Sequence, residues 1–165
     1  MFSQFLTAMV MIGILGAAPV PASAAEPHTP QQGIILSPDV LNLLRAEMRE
    51  IAGGVQDIAL YLAIADWRSI VKTSEKIRAS YIMEKKLTTA QATELERALP
   101  EQFKLLDAEF HQRAEKLGDA ATAHDPELVT FHYSRLIESC TRCHATFAGN
   151  RFQGFAPAPL PGHHH

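Results

Sequence analysis

Cysteine is scarce in this sequence: two residues in 165, Cys140 and Cys143, and they lie in one short stretch. A multi-disulfide scaffold is therefore excluded. A bridge across so short a loop would close little chain and stabilise little. With no second cysteine pair, a four-ligand zinc site lacks its donors. Positive charge is not in excess either. Fifteen Lys and Arg face eighteen Asp and Glu, for a formal net charge of -3, and no basic stripe is visible. That argues against nucleic acid as the partner. The alternating pattern of β-strands is missing, and no nucleophile–base pair points to catalysis, so the chain does not read as an enzyme. What the chain does have is a composition 47% hydrophobic and 20% charged, enough for one domain with a buried core.

Residues 1–24 read as a secretory signal. Phe5-Leu6, Met9 to Ile12 and Ile14-Leu15 supply an apolar region, and Ala22-Ser23-Ala24 is a small-residue cleavage site. The segment has no Lys or Arg at its start, which is atypical of such signals. An uncleaved membrane anchor is the alternative. Gly13, Gly16, Pro19 and Pro21 break the run and leave it short for a bilayer span, which favours cleavage near Ala24. Residues 25–36 are aperiodic and contain Pro and Gln, and they read as a flexible lead-in.

The domain is expected over residues 37–152. Ser37-Pro38 is a helix start, with Ser37 as N-cap, Pro38 in the first turn and Asp39 at the positive end of the dipole. Leu41, Leu44, Met48, Ile51, Val55, Ile58 and Leu62 then follow the 3-4 spacing of an amphipathic helix, interrupted only by Gly53-Gly54. A second helix is expected from Asp66 to about Met83, carrying Trp67, Ile70, Ile77 and Tyr81. Thr88 or Thr89 caps a short helix with Leu95 and Leu99, which Pro100 ends. A third long helix carries Phe103, Leu106, Phe110, Ala114 and Leu117, with Gly118 as its expected stop and residues 119–124 as a connection. Asp125-Pro126 starts the last helix, which runs to about Ala148. Residues 153–165, rich in Pro and Ala and ending in three histidines, read as a disordered tail. Four amphipathic helices with short connections predict an all-α, up-down-up-down antiparallel four-helix bundle, whose core is where a cofactor sits in this architecture.

The last helix carries Cys140-Thr141-Arg142-Cys143-His144. Cys-x-x-Cys-His is the attachment signature of a c-type haem. Two thiols add to the two haem vinyl groups as thioethers, and the neighbouring imidazole ligates iron. Positions i, i+3 and i+4 share one helix face, so both thiols and the imidazole can meet one flat macrocycle. Haem would use both thiols, leaving packing and the cofactor to hold the fold.

With this motif near the C-terminus of the last bundle helix, an export signal before the domain and the aromatic Phe147 after it, the chain resembles the class II c-type cytochromes, the family of cytochrome c′ and cytochrome c-556. The resemblance implies a periplasmic electron-transfer protein with one covalent haem c. It implies thioethers at Cys140 and Cys143 and His144 as the proximal iron ligand. It also implies a sixth position facing the first helix, where Met48 is the candidate distal ligand. Met83, His111 and His132 are weaker candidates: Met83 at the end of the second helix, and His132 roughly 120° around its helix from His144. Many cytochrome c′ sequences carry a basic residue four positions after the motif histidine. Here that position is Ala148, and the nearest Arg, Arg151, is a candidate propionate contact. Redox partner proteins are implied, and a homodimer through the first two helices follows from the family's habit. The membrane is met only transiently, through the signal segment.

Two other functions are compatible with the residues. An apolar side chain in the sixth position makes a five-coordinate NO- or CO-binding protein. A reactive Cys140/Cys143 pair without haem makes an exported helical dithiol protein.

Overall fold

A computed structural model describes residues 34–83 and 86–155; the expected signal segment, most of the lead-in and residues 156–165 lie outside the described residues. The described protein is all-α. It comprises α1 (Pro38–Ala63), α2 (Trp67–Arg78), α3 (Thr89–Ala98), α4 (Glu101–Thr122) and α5 (Pro126–Phe147), then a short 3-10 turn at Gln153–Phe155. Among the described residues, no helix is long and apolar enough to cross a membrane.

The helix starts follow the local chemistry of the sequence. Ser37, Asp66, Thr88 and Asp125 each accept a hydrogen bond from an N–H of the first turn, satisfying donors that have no intrahelical partner. Thr88 and Gln91 form a reciprocal capping box. Glu94 of α3 accepts from the Ser37 backbone N–H at 2.6 Å and from its hydroxyl at 2.9 Å, which ties α3 to the start of α1.

Two helix ends differ from expectation. The second helix stops at Arg78 instead of Met83, because Ser80 adopts a left-handed φ of 52° and the next N–H groups find a carboxylate instead of the helix. Gly118 does not stop α4, which runs on to Thr122. A Cβ there would stand 3.3 Å from the Ser74 Cβ, so this glycine lets α2 and α4 approach closely. The turn comes later, at His124, with a φ of 54°.

Cross-helix contacts give the directions. Glu109 meets Arg142 while Arg113 meets Glu138, so α4 and α5 run antiparallel. His111 meets Ile77 while Gly118 meets Ser74, so α2 and α4 do too. Glu47 meets Ile82 and Gly54 meets Thr73, which sets α1 antiparallel to α2. α4 packs on both α2 and α5, and α1 packs on α2, whereas α1 and α5 touch lightly. The main core joins Ile51, Val55 and Ile58 of α1 to Ile70 and Ile77 of α2, to Phe110, Ala114, Leu117, Ala120 and Ala121 of α4, and to Val129 and Leu136 of α5. Each buried Ile or Leu there stabilises the fold by about 1.5–3 kcal/mol through apolar area removed from water.

Candidate functional site

The lower half of α5 leaves this core. Leu136 is fully buried and Cys140 packs against the core's edge, but Cys143, His144 and Phe147, further along the same face, are only partly covered. The two thiols are not bridged to each other. The Cys140 thiol donates to the Leu136 carbonyl at 3.5 Å, a contact within its own helix. Burial pushes both thiols up from their ordinary value, Cys143 to about 11 with Asp107 adding to the effect. Reactive dithiols have the opposite property, a pKa lowered by a helix N-terminus or a cation. Here the pair sits in the last turns of α5, at the negative end of the helix dipole.

Burial lowers the pKa of His144, which favours the neutral imidazole that can ligate a metal. The chain beyond α5 folds back and lays Phe152 on the imidazole, centroids 4.8 Å apart and planes 32° apart. The N–H groups of Arg151 and Phe152 bond to the Ala148 carbonyl at 2.9 and 3.0 Å, which fixes this return. Arg151 is exposed, with its guanidinium 5.9 Å from the centre of the Phe152 ring, at the rim of the His144 site. Phe147 sets its ring edge against Phe103 of α4, 5.3 Å away.

Met48 takes its place from the seam between α1 and α5. The Tyr133 hydroxyl bonds to the Val55 carbonyl at 3.2 Å. Seven residues back along α1 is Met48, and seven residues on along α5 is Cys140. Seven residues are about 10.5 Å of helix and nearly two whole turns, so each stays on its face, and the two reach one level. The buried positions of α1 below Ile51 are Val40 and Glu47, not the predicted Leu41, Leu44 and Met48. Those three form a second, partly exposed stripe, with Met48 37% exposed.

The weaker ligand candidates are distributed differently. His132 is twelve residues before His144, about 18 Å along the same helix. The His111 Nδ1 lies 2.9 Å from the Ile77 carbonyl, so its ring is engaged with α2. Met83, expected at the end of the second helix, lies beyond it and has its backbone N–H 3.3 Å from a carboxylate oxygen of Glu47.

Two features were not anticipated from the sequence. One is Glu47 itself, a carboxylate only 2% exposed inside the bundle. The other is a chain of ion pairs across α4 and α5 beside the cysteines. Glu109 binds Arg113 and, at 3.1 Å, Arg142, and Glu138 binds Arg113 at 3.3 Å and Arg135 at 2.6 Å. Arg142 lies between the two cysteines, so this network fixes the register of the motif against α4.

A haem needs thiols, an imidazole and apolar walls. The residues present fit those needs: two unbridged thiols and an imidazole whose burial favours the neutral form on one face of α5, with Phe147 against Phe103 beside them. A cleft elsewhere, between α1 and α2, is lined by Arg49, Glu50, Asp57, Lys72 and Lys76 and is too charged to accept an apolar macrocycle. Among the described residues, no group of three or more His, Cys, Asp or Glu is arranged to hold a metal ion by itself. No protein-family model, curated protein or solved structure matches this chain.

Proposed function

We propose that this protein is an exported c-type cytochrome of the class II kind, an electron carrier of the periplasm. In this reading α1, α2, α4 and α5 form an up-down-up-down four-helix bundle. Cys140 and Cys143 would hold one haem c covalently, with His144 as the proximal iron ligand and Met48 as the distal one. One observation carries the reading: both thiols and the imidazole share a face of α5 where the apolar core stops and the seam with α1 is open. The thiol pKa values, raised and not lowered, speak against the dithiol alternative.

Bound there, haem iron supplies one-electron exchange between ferric and ferrous states. The chain's own residues set the conditions. Burial keeps His144 neutral and Phe152 braces its ring. Leu136 and Ile51 close the core behind the site, and Leu44 and Phe147 limit the access of water. The Met48 thioether would supply a soft ligand of the kind that favours the reduced metal. Arg151 at the rim offers a charge-assisted contact to a propionate. Redox partner proteins dock where the site is exposed, and the α1–α2 surface is the face for a homodimer.

The test is the optical spectrum of the exported protein, oxidised and reduced, with and without CO, beside Met48→Ala. A sharp low-spin reduced band indifferent to CO in the parent, and lost in the variant, supports electron transfer with Met48 ligation. A parent spectrum that shifts with CO means a five-coordinate gas binder. A protein without covalent haem overturns the whole reading.

A further inference from the structure

Glu47 has no role in the account so far, and its surroundings are unusual. It lies in the middle of α1, yet its carboxylate accepts four hydrogen bonds from the turn after α2. The donors are the Ser80 hydroxyl at 2.9 Å and the backbone N–H groups of Tyr81 at 2.8 Å, Ile82 at 2.5 Å and Met83 at 3.3 Å. Burying a carboxylate is unfavourable unless it is fully hydrogen-bonded, and this one is. The bonds join positions 33 to 36 residues apart, so they fix α1 against α2 and not merely a local turn.

Their consequence for the neighbouring residue is geometric. Successive helix residues point about 100° apart. With Glu47 held toward the turn after α2, Met48 is set about 100° round, away from that turn. One more restraint acts above it, the Tyr133–Val55 bond. Helix α1 is thus pinned on both sides of Met48, and as a whole it touches α5 only lightly.

We propose that Glu47 is the positioning residue of the distal site: its hydrogen-bonded carboxylate sets the rotation and height of α1 that bring Met48 to the thiol-bearing face of α5. The inference rests on the haem reading above. A neutral carboxamide cannot replace the carboxylate, because its NH2 group would face backbone donors.

The experiment compares Glu47→Gln with the parent, Met48→Ala, the double variant and Glu94→Ala, all exported with haem attached. Two readouts are taken: amide hydrogen exchange at residues 81–83, and the CO-reactive high-spin fraction. Glu47→Gln is expected to speed exchange at those amides by about tenfold or more. It is also expected to raise the CO-reactive fraction several-fold, and the double variant to be no more CO-reactive than Met48→Ala alone. Glu94→Ala removes the remote bonds to Ser37 and is expected to leave the spectrum unchanged, which separates positioning from general loss of stability. Faster exchange with a parental spectrum would make Glu47 a turn cap only and overturn the proposal, as would unchanged exchange. If Glu47→Gln does not accumulate, Ser80→Ala removes a single donor side chain and is expected to shift both readouts the same way by less; no shift in the spectrum overturns the proposal. A parent that already binds CO, or that matches Met48→Ala, overturns Met48 ligation and this inference together. A CO-inert parent with a responsive Met48→Ala and an unresponsive Glu47→Gln overturns this inference alone.

Discussion

The Tyr133 hydroxyl donates to the Val55 carbonyl at 3.2 Å, and this bond closes α5 onto α1 above the thiol-bearing face. Burial of the tyrosine raises its pKa, so the hydroxyl keeps its proton at neutral pH and remains a donor. The Val55 carbonyl is already used within its helix, so losing the tyrosine donor strands little. We expect Tyr133→Phe to lower stability by about 1 kcal/mol, read as a shift in the denaturation midpoint.

Met48 separates ligation from packing. A fully buried methionine replaced by alanine costs about 2–5 kcal/mol. Met48 is 37% exposed, so in protein made without haem we expect Met48→Ala to cost under about 1 kcal/mol by urea denaturation. A large loss in haem-free protein would show that the side chain is core packing and remove the argument for a ligand.

The paired glycines of α1 are not equivalent. A Cβ at Gly53 meets nothing within 4 Å, whereas one at Gly54 would come within 2.5 Å of the Tyr81 hydroxyl and 3.2 Å of the Thr73 Cγ2. We expect Gly53→Ala to stabilise by about 0.5–1 kcal/mol through helix propensity. We expect Gly54→Ala to destabilise by about 1–3 kcal/mol, since Tyr81 must leave its place. Thermal unfolding of the two variants side by side checks the opposite signs.

Titration of haem-free protein tests the state of the site. Cys143 rises from 9.0 to about 11 on folding, so its contribution to stability is present below about pH 9 and is lost as pH climbs toward 11. His144 is shifted down from 6.5, so its contribution is present above that value and is lost as pH falls below it. We expect a stability plateau between these limits and slow alkylation of the thiols at neutral pH. Rapid alkylation at pH 7 would restore the dithiol reading.

Much of this protein was determined by local sequence. Ser37, Asp66, Thr88 and Asp125 start helices because a short polar side chain satisfies the first free N–H groups, a chemistry confined to a few neighbouring residues. The grouping of Cys140, Cys143 and His144 on one face was equally legible, because helical periodicity alone produces it. Tertiary structure decided the rest. A glycine after an apolar stripe reads as a stop, but at Gly118 the close approach of α2 makes it a packing position inside α4. Glu47 looks like a solvated helix residue until the turn at Ser80 brings four donors to it from more than thirty residues away. That long-range arrangement also ends α2 early and brings the Met83 N–H to the Glu47 carboxylate. Hydrogen bonds between distant segments leave no periodic mark in the sequence.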